Sequence, residues 1–349
     1  MKYSIATIPG DGIGTEVMAA AVKVLEALAE KTGLEFEFRL LYAGDEHKER
    51  TGVALPPETI EGVKASDACL FAAVGNTAKE VIIPLRQRLN LYANLRPAKA
   101  YPGVPAVNPD VDIMIVRENT EGIYTGMGGV QYKGMPSEVS TQINCTTRFG
   151  AERAIRYAFE VCRRRNSPKK MLTLVHKTNV LTYAGGTWYR AFMEIGREYP
   201  DIKKDYNHVD ACCMWFVKNP EYYDVIVTDN LFGDIITDLA AIVQGGLGVA
   251  AGGNINPKGV SMFEPMGGSA PKYTGKNVIN PIAAIASLGM LLRETGNNKG
   301  DARLVEAGNR VESAVMATTP KMQTQAAGKM GFSTTQIGDM VAAAVAGSR

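Results

Sequence analysis

Apolar and polar positions follow two different periods along the chain. Short apolar or alternating runs at 3–8, 35–42, 67–74, 112–117, 171–176 and 224–228 predict strands. Helical spacing is found at 15–32, 57–65, 82–91, 151–165, 234–245, 280–295, 301–317 and 335–346. Strands that alternate with helices in this way predict an α/β architecture whose sheet is largely buried.

One segment departs from this alternation. Residues 123–150 are rich in Gly, Thr, Ser and Gln, and they alternate instead of showing helical spacing. We expect a hairpin-like arm there. The chain contains no low-complexity linker, so two domains, if present, must be joined by structured crossings.

Length and composition limit the classes of protein that the chain can belong to. Its 349 residues suffice for about two domains, and 46% hydrophobic with 21% charged residues is ordinary for a globular protein. No run approaches the roughly 18 apolar residues of a membrane span. Because 38 basic and 36 acidic residues leave a charge of only +2, we expect no nucleic-acid partner and no membrane association.

Cysteine and histidine usage bears on compartment and on metal chemistry. The five cysteines form no Cys-x-x-Cys pair, which favours reduced thiols in a cytosol-like compartment over disulfides or a zinc site. We therefore expect a cytoplasmic protein. With three histidines in the whole chain, any metal should be a hard, oxygen-bound cation.

A glycine-rich loop, Pro-Gly-Asp-Gly-Ile-Gly at 9–14, connects the first predicted strand to the first helix. Its third glycine comes one residue too early for the dinucleotide fingerprint G-x-G-x-x-G. A nucleotide loop and a tight strand–helix turn both fit this pattern.

Acidic residues supply the clearest candidate site. Asp234 and Asp238 are four residues apart on an otherwise apolar helix, so their carboxylates share one face. A third acid, Asp210, stands between a strand-like stretch and an apolar helix. Three carboxylates suit Mg²⁺ or Mn²⁺. The alternative is that Asp234 caps the helix and Asp238 lies on a solvated face.

Basic and phenolic residues lie at strand and helix ends nearby in sequence. Arg86, Arg96 and Arg117 carry guanidinium groups that suit a multiply charged small acid. Tyr124 and Lys177 are candidate proton donors and acceptors. Taken singly, each of these residues also fits a surface or packing role.

Together these segments resemble the β-decarboxylating dehydrogenase family, which includes isocitrate, 3-isopropylmalate, homoisocitrate and tartrate dehydrogenases. The resemblance rests on IPGDGIG at 8–14, LRQRLNLYANLRP at 85–97, VRENTEGIY at 116–124, VHKTNVL at 175–181 and NLFGDIITDLAA at 230–241. It implies a two-domain α/β fold with a mixed central sheet, unlike the Rossmann fold. A cofactor-side domain would comprise 1–99 and 247–349, and a substrate and dimerisation domain with an arm near 125–150 would comprise 100–246.

The resemblance also implies a homodimer with shared active sites. Asp210, Asp234 and Asp238 would bind the metal, and Tyr124 and Lys177 would be catalytic. Substrate would be bound by Arg86, Arg96, Arg117, Ile82, Ile83 and Asn179. Lys177 and Asp210 would come from the partner of the subunit that supplies the other residues.

The implied activity is metal-dependent oxidative decarboxylation of a malate-type 2-hydroxy acid by NAD(P)⁺. In this family the residues before the first arginine face the variable substituent of the substrate. Ile82 and Ile83 resemble an apolar patch for an isopropyl group, which favours conversion of 3-isopropylmalate to 2-oxoisocaproate in leucine biosynthesis. Lys79, where such enzymes often have glutamate, departs from that pattern. Isocitrate or homoisocitrate as substrate, or a non-catalytic regulatory subunit, are the alternatives.

A second loop resembles the family's adenosine-binding segment. The implied cofactor-binding residues are Glu264, Gly267, Gly268, Ser269, Ala270, Pro271, Lys272, Tyr273 and Asn280. Gly267 replaces the usual histidine, and Lys272 replaces the aspartate that NAD enzymes use on the ribose. Lys-Tyr is the pattern of bacterial NADP-isocitrate enzymes, yet that pattern's later tyrosine and arginine fall at Pro320 and Thr324. The sequence leaves NAD and NADP open.

Overall fold

The computed structural model describes residues 2–347. Its strands are β1 (Lys2–Gly10), β2 (Glu35–Leu40), β3 (Ala68–Ala73), β4 (Ala93–Lys99), β5 (Asp112–Glu118), β6 (Gly128–Gln131), β7 (Val139–Gln142), β8 (Met171–His176), β9 (Lys203–His208), β10 (Val225–Thr228), β11 (Ala251–Ile255) and β12 (Met262–Pro265). Its helices are α1 (Gly14–Thr32), α2 (Asp45–Thr51), α3 (Pro57–Lys64), α4 (Ala78–Arg88), α5 (Arg148–Arg165), α6 (Thr182–Gly196), α7 (Val209–Lys218), α8 (Asn230–Val243), α9 (Ile282–Lys299), α10 (Ala302–Thr318) and α11 (Thr334–Gly347).

The chain forms two compact units. The first comprises Met1–Leu91, Arg96–Val111 and Ala241–Arg349. Its strands lie in the order β2-β1-β3-β12-β11, all parallel except for the antiparallel pair β11–β12. Every residue of β3 is buried, and most of α9 is buried as well. β3 is apolar throughout, and α9 is mostly apolar over residues 282–292, as segments covered on all sides must be.

The second unit comprises Tyr92–Leu95 and Asp112–Ala240. Strands β5, β10, β8 and β9 lie in that order and are parallel. β8 and β10 are fully buried, and α5 packs beside α6 on this sheet. β6 and β7 form a separate antiparallel ribbon whose residues are all exposed.

The predicted α/β class with a mixed sheet is confirmed, whereas the division of the chain differs in detail from the expected one. The expected boundaries lay at residues 99/100 and 246/247, whereas the two compact units alternate at 91/92, 95/96, 111/112 and 240/241. Backbone pairing explains the difference. Val107 donates its N–H to the carbonyl of Val243, and Lys99 donates its N–H to Gln244 Oε1, both at 2.8 Å. These bonds hold 100–111 and 241–246 together within the first unit.

Several elements were not predicted from the pattern. α2 has only seven residues, and α6 contains two consecutive glycines. Both features weaken the sequence pattern that predicts a helix. The amides that begin α2 are bound from outside the helix, since the Asp11 carboxylate accepts the N–H groups of Asp45 and Glu46 at 2.9 and 3.1 Å. None of the helices within residues 2–347 has the length and apolar character needed to cross a membrane.

Candidate active site

A buried arginine organises the polar centre of the second unit. Arg117, near the end of β5, is only 2% exposed, and its Nη1 lies 2.5 Å from Asp234 Oδ1. Its Nε donates to the carbonyl of Asn230 at 2.8 Å, and its Nη2 donates to Asn230 Oδ1 at 2.7 Å. Tyr124 donates its hydroxyl to the other Asp234 oxygen at 2.6 Å. The structure therefore brings together three of the predicted residues, Arg117, Tyr124 and Asp234, around one carboxylate.

The first turn of α8 allows this close approach. Asp229 accepts the N–H of Phe232 at 2.8 Å, so it caps the helix. The alternative interpretation of Asp234 as the cap is therefore wrong: it lies one turn inside the helix. A Cβ atom at Gly233 would lie 2.4 Å from Arg117 Cγ. Only glycine lets the helix pack against the arginine at this position.

The α8 carboxylates are suitable ligands for a divalent cation. Asp234 and Asp238 follow one another on one helix face, and the Asp234 side chain is 49% exposed despite its two partners. A carboxylate has about four lone-pair positions, so Asp234 can bind a cation and still accept from Arg117 and Tyr124. In the described part of one chain, no three His, Cys, Asp or Glu side chains are placed to hold a metal. The chain thus supplies two of the three predicted ligands from one helix.

The remaining ligand is paired with the predicted base. Lys177 follows β8, and its Nζ lies 2.7 Å from Oδ1 of Asp210 in the first turn of α7. The hydrogen bond from Lys177 lowers the pKa of Asp210 below its ordinary value. Asn179, a predicted substrate residue, lies exposed in the turn after Lys177.

Two further predicted arginines meet in the first unit. Arg86 on α4 and Arg96 on β4 each place Nη2 near the same oxygen, Glu264 Oε1, at 3.6 and 3.7 Å. Arg96 is the fourth residue of β4 and does not open it. Glu264 on β12 is 7% exposed and accepts from Asn254 Nδ2 at 2.9 Å. The sequence assigned Glu264 to cofactor binding, and the structure places it beside Arg86 and Arg96, two residues predicted to bind substrate.

The face of α4 that carries Arg86 also carries the predicted specificity residues. Ile82 and Ile83 lie one turn before Arg86, and Lys79 lies one turn earlier again. Ile82 packs against the hydrophobic core around Val81 and Leu85, Ile83 is half-buried and Lys79 is exposed. Glu80 faces elsewhere, in an ion pair with Lys48 at 2.7 Å.

The predicted cofactor loop borders a largely apolar cavity of about 260 Å³ in the first unit. Among the residues that line it are Gly267, Gly268, Ala270 and Asn280. Asn280 is held in place, since its Oδ1 accepts the N–H of Ile282 at the start of α9 and its Nδ2 donates to Gln325. Pro271, Lys272 and Tyr273 form a short 3-10 turn beyond the cavity, with Lys272 Nζ 4.8 Å from the Tyr273 ring centre.

The glycine-rich loop at 9–14 supports this second loop through its backbone. Ile13 donates its N–H to the carbonyl of Ser269 at 3.0 Å, and a Cβ at Gly12 would lie 2.3 Å from that oxygen. Gly12 also has φ +58, where glycine is favoured. Ile13 itself lines the cavity. The glycines thus serve both a tight turn and the close packing of the cofactor loop.

Sequence reasoning missed two polar residues that hold the arginines. Asn230 binds the Arg117 guanidinium, and Asn254 binds the carboxylate between Arg86 and Arg96. Asn230 is the first residue of the acidic motif at 230–241, so its position in that motif could have indicated a role in the site. Asn254 lies in a glycine-rich strand without a motif, and only tertiary structure reveals its partner.

Known proteins resemble the chain over its whole length. Residues 4–341 match the family model "Isocitrate/isopropylmalate dehydrogenase". A 3-isopropylmalate dehydrogenase of Thermobifida fusca is 46% identical over 356 residues, covering 98% of this chain and 97% of that protein. One of Streptomyces griseus is 44% identical over 357 residues, with 99% of each covered. The crystal structure of isocitrate dehydrogenase from Methylococcus capsulatus superposes with a TM-score of 0.89 at 37% identity, covering 99% of both chains.

Arginine, tyrosine, lysine and aspartate side chains thus occupy the expected motifs in a chain that matches the family model almost from end to end. The chain belongs to the isocitrate/isopropylmalate dehydrogenase family and is a decarboxylating dehydrogenase, an oxidoreductase.

Proposed function

We propose that the chain oxidises 3-isopropylmalate at its C2 hydroxyl and releases its β-carboxylate as CO₂, giving 4-methyl-2-oxopentanoate in leucine biosynthesis. The observation that carries this choice of substrate is the apolar pair Ile82–Ile83 one turn before Arg86. Neither side chain can hydrogen-bond a distal carboxylate, and leaving such a charge unpaired costs more than the 1–3 kcal/mol of one methylene contact, a rough range for apolar pockets. The names of the two relatives agree with this choice.

Isocitrate is the second candidate, and two observations favour it. Lys79 is exposed on the same α4 face and carries a charge that suits a distal carboxylate. The similar solved structure from Methylococcus capsulatus is named an isocitrate dehydrogenase. The Ile82–Ile83 pair lies closer to Arg86 than Lys79 does along the helix, and for this reason we rank 3-isopropylmalate first.

Asp234 and Asp238, with Asp210 of a second subunit, would hold Mg²⁺ or Mn²⁺, and the loop 267–280 would hold NAD⁺ or NADP⁺. When bound, the cation supplies Lewis-acid polarisation of the C2 oxygen and the nicotinamide accepts the hydride. Carboxylate oxygens are the ligands that these hard cations prefer. The cavity beside Gly267 and Asn280 is largely apolar, as an adenine site should be.

The chain's own side chains would then divide the remaining work. Arg86, Arg96 and Arg117 bind the substrate carboxylates, because guanidinium groups match carboxylate geometry. Lys177, in its neutral form, accepts the proton of the C2 hydroxyl, and the Asp210 carboxylate orients the amine. Tyr124 protonates the carbon that loses CO₂, and its hydroxyl is already oriented by Asp234.

We further propose a cytoplasmic homodimer in which each active site takes Lys177 and Asp210 from the other subunit. Large apolar side chains of the second unit are exposed on helices and on the arm, and such surfaces mark protein interfaces. They include Tyr183 at 93%, Met214 at 70%, Val217 at 61%, Ile235 at 54%, Tyr132 at 60% and Met135 at 59% exposure. Lys177 and Asp210 contact each other directly, so they would enter the partner's site together.

The test is initial-rate turnover of the purified protein with Mg²⁺. 3-Isopropylmalate, isocitrate, homoisocitrate, malate and tartrate are each paired with NAD⁺ and with NADP⁺. We expect kcat/KM to be highest with 3-isopropylmalate. A preference for isocitrate, lost in Lys79→Ala, would show that this lysine captures the distal carboxylate and would refute the apolar-pocket argument.

A further inference from the structure

Glu264 lies in the first unit where the sequence predicted a cofactor contact, yet its carboxylate lies beside two arginines. Arg86 and Arg96 place their Nη2 atoms within 3.6 and 3.7 Å of the same oxygen, Glu264 Oε1. All three side chains are largely buried. Two guanidinium groups this close repel each other, and the repulsion is strong where water is excluded. A carboxylate between them offsets that repulsion and fixes their separation.

The surroundings of the carboxylate favour one fixed position. Asn254 on β11 is fully buried and donates to Glu264 Oε1 at 2.9 Å. Gly252, opposite Glu264 in the β11–β12 pair, leaves space for the Arg96 side chain. A Cβ atom there would lie 2.9 Å from Arg96 Nε. Asn254, Glu264 and Arg96 are thus packed as one array on neighbouring strands, and Arg86 reaches it from α4.

We propose that Glu264 is a positioning residue for substrate binding: its carboxylate holds Arg86 and Arg96 side by side and limits the net charge that they present to a dicarboxylic acid. This inference rests on the proposed function, in which these arginines bind the substrate. The two guanidinium groups and the Glu264 carboxylate together carry one net positive charge. The arginine pair therefore attracts an anion, but binds small dicarboxylates less tightly than two uncompensated arginines would. The role differs from a cofactor contact, and it predicts different kinetics.

The decisive variant is Glu264→Gln, which keeps the shape of the side chain and removes its charge. Without that charge the arginines attract dianions more strongly but lose their alignment. We expect the dissociation constant of malonate, measured by calorimetry on the full chain, to fall at least about threefold. In turnover assays kcat should fall about tenfold or more, because misaligned groups lose effective concentration. The KM of the cofactor should change by less than about twofold, because the substitution leaves the residues proposed to bind the cofactor unchanged.

Glu312→Gln is a matched control. Glu312 also bridges two basic side chains of the first unit, Lys99 at 2.6 Å and Arg293 at 2.8 Å, outside the candidate site. This variant should leave malonate affinity and kcat unchanged. If Glu264→Gln does not fold, as judged by circular dichroism and melting, Glu264→Asp replaces it. The shorter side chain keeps the charge, so malonate affinity should stay within about twofold of wild type while kcat falls.

The outcomes separate the two proposals. Unchanged or weaker malonate binding in Glu264→Gln, or an unchanged kcat in Glu264→Asp, overturns the positioning role. A rise in cofactor KM with normal substrate kinetics also overturns it and returns Glu264 to the cofactor site. If the wild-type protein turns over none of the five acids and binds no malonate, the proposed function itself has failed.

Discussion

Gly233 offers the sharpest test of how α8 and Arg117 depend on each other. In Gly233→Ala the added methyl group would lie 2.4 Å from Arg117 Cγ and 2.7 Å from its Cβ. These atoms are at the buried root of the side chain and cannot swing aside as a flexible tip can. Overpacking of this kind costs about 1–3 kcal/mol, while replacing glycine by alanine inside a helix returns about 1 kcal/mol. If Arg117 also loses one charged hydrogen bond to Asn230 or Asp234, a further 1.5–3 kcal/mol, roughly, is lost.

With that hydrogen bond lost, we expect Gly233→Ala to lower the free energy of unfolding by about 1.5–5 kcal/mol, measured by urea denaturation. It should also lower kcat/KM about a hundredfold, because Arg117 and Asp234 shift together. Gly186→Ala on α6 is the matched control. A Cβ there meets only the guanidinium of Arg190, with Nη1 at 3.1 Å, which is the end of a flexible side chain. That variant should be as stable as wild type or slightly more so, and fully active. If the two alanine variants behave alike, the close packing of α8 on Arg117 is not what places the site.

Three further predictions follow from single contacts. Tyr124→Phe should fold normally but lose about 10²–10⁴ in kcat, measured by initial rates, because it removes the proposed proton donor; near-normal turnover would exclude that role. Asp45→Ala should unfold more readily by about 1 kcal/mol at pH 7, because hydrogen bonds from Thr77 and Asn76, outweighing burial, hold the pKa of Asp45 below its ordinary value. That contribution is fully present above about pH 4 and is lost as the pH falls through the lowered pKa of Asp45. The difference in free energy of unfolding between wild type and Asp45→Ala should therefore shrink when unfolding is measured at successively lower pH. Lys272→Asp should lower the ratio of kcat/KM with NADP⁺ to that with NAD⁺ at least about tenfold, because the positive charge favours a 2′-phosphate; an unchanged ratio would show that another residue selects the cofactor.

Elements with strong periodicity could be predicted from the chain alone. β3 is a continuous apolar run and β8 is mostly apolar, both are fully buried, and α1 and α10 carry one apolar face each. The elements that escaped prediction depend on tertiary contacts. α2 is short and polar, and its first amides are bound by the Asp11 carboxylate from a distant loop. The residue pattern around α2 gives no indication of these hydrogen bonds to Asp11.

The candidate site shows the same limit. Motif order was enough to select Arg117, Tyr124 and Asp234, which do meet around one carboxylate. Spacing alone could not show that Asp229 and not Asp234 caps α8, because apolar residues of the same helix follow both aspartates within two positions. Nor could it show that Glu264 contacts arginines, since its partners lie on α4 and β4, far away in sequence. The identity of a site residue can be read from a motif, whereas its partner is set by the packing of strands.

Arg117 is one buried arginine centre, and Arg86 with Arg96 is the other. In each, a carboxylate offsets the cost of burying positive charge, but the two carboxylates differ in exposure. Arg117 is buried with its charge balanced by Asp234, a residue that is itself half exposed and able to take a cation. A cation bound there would draw on the Asp234 carboxylate and weaken its pairing with Arg117, although Asn230 would still hold the guanidinium. Arg86 and Arg96 are balanced by Glu264, which is buried and fixed by Asn254. The net charge of Arg86, Arg96 and Glu264 should therefore be the same whether or not a metal is bound. Under the proposed function, substrate affinity should therefore include a part that depends on Arg86 and Arg96 and needs no metal, and a part that depends on both the metal and Arg117.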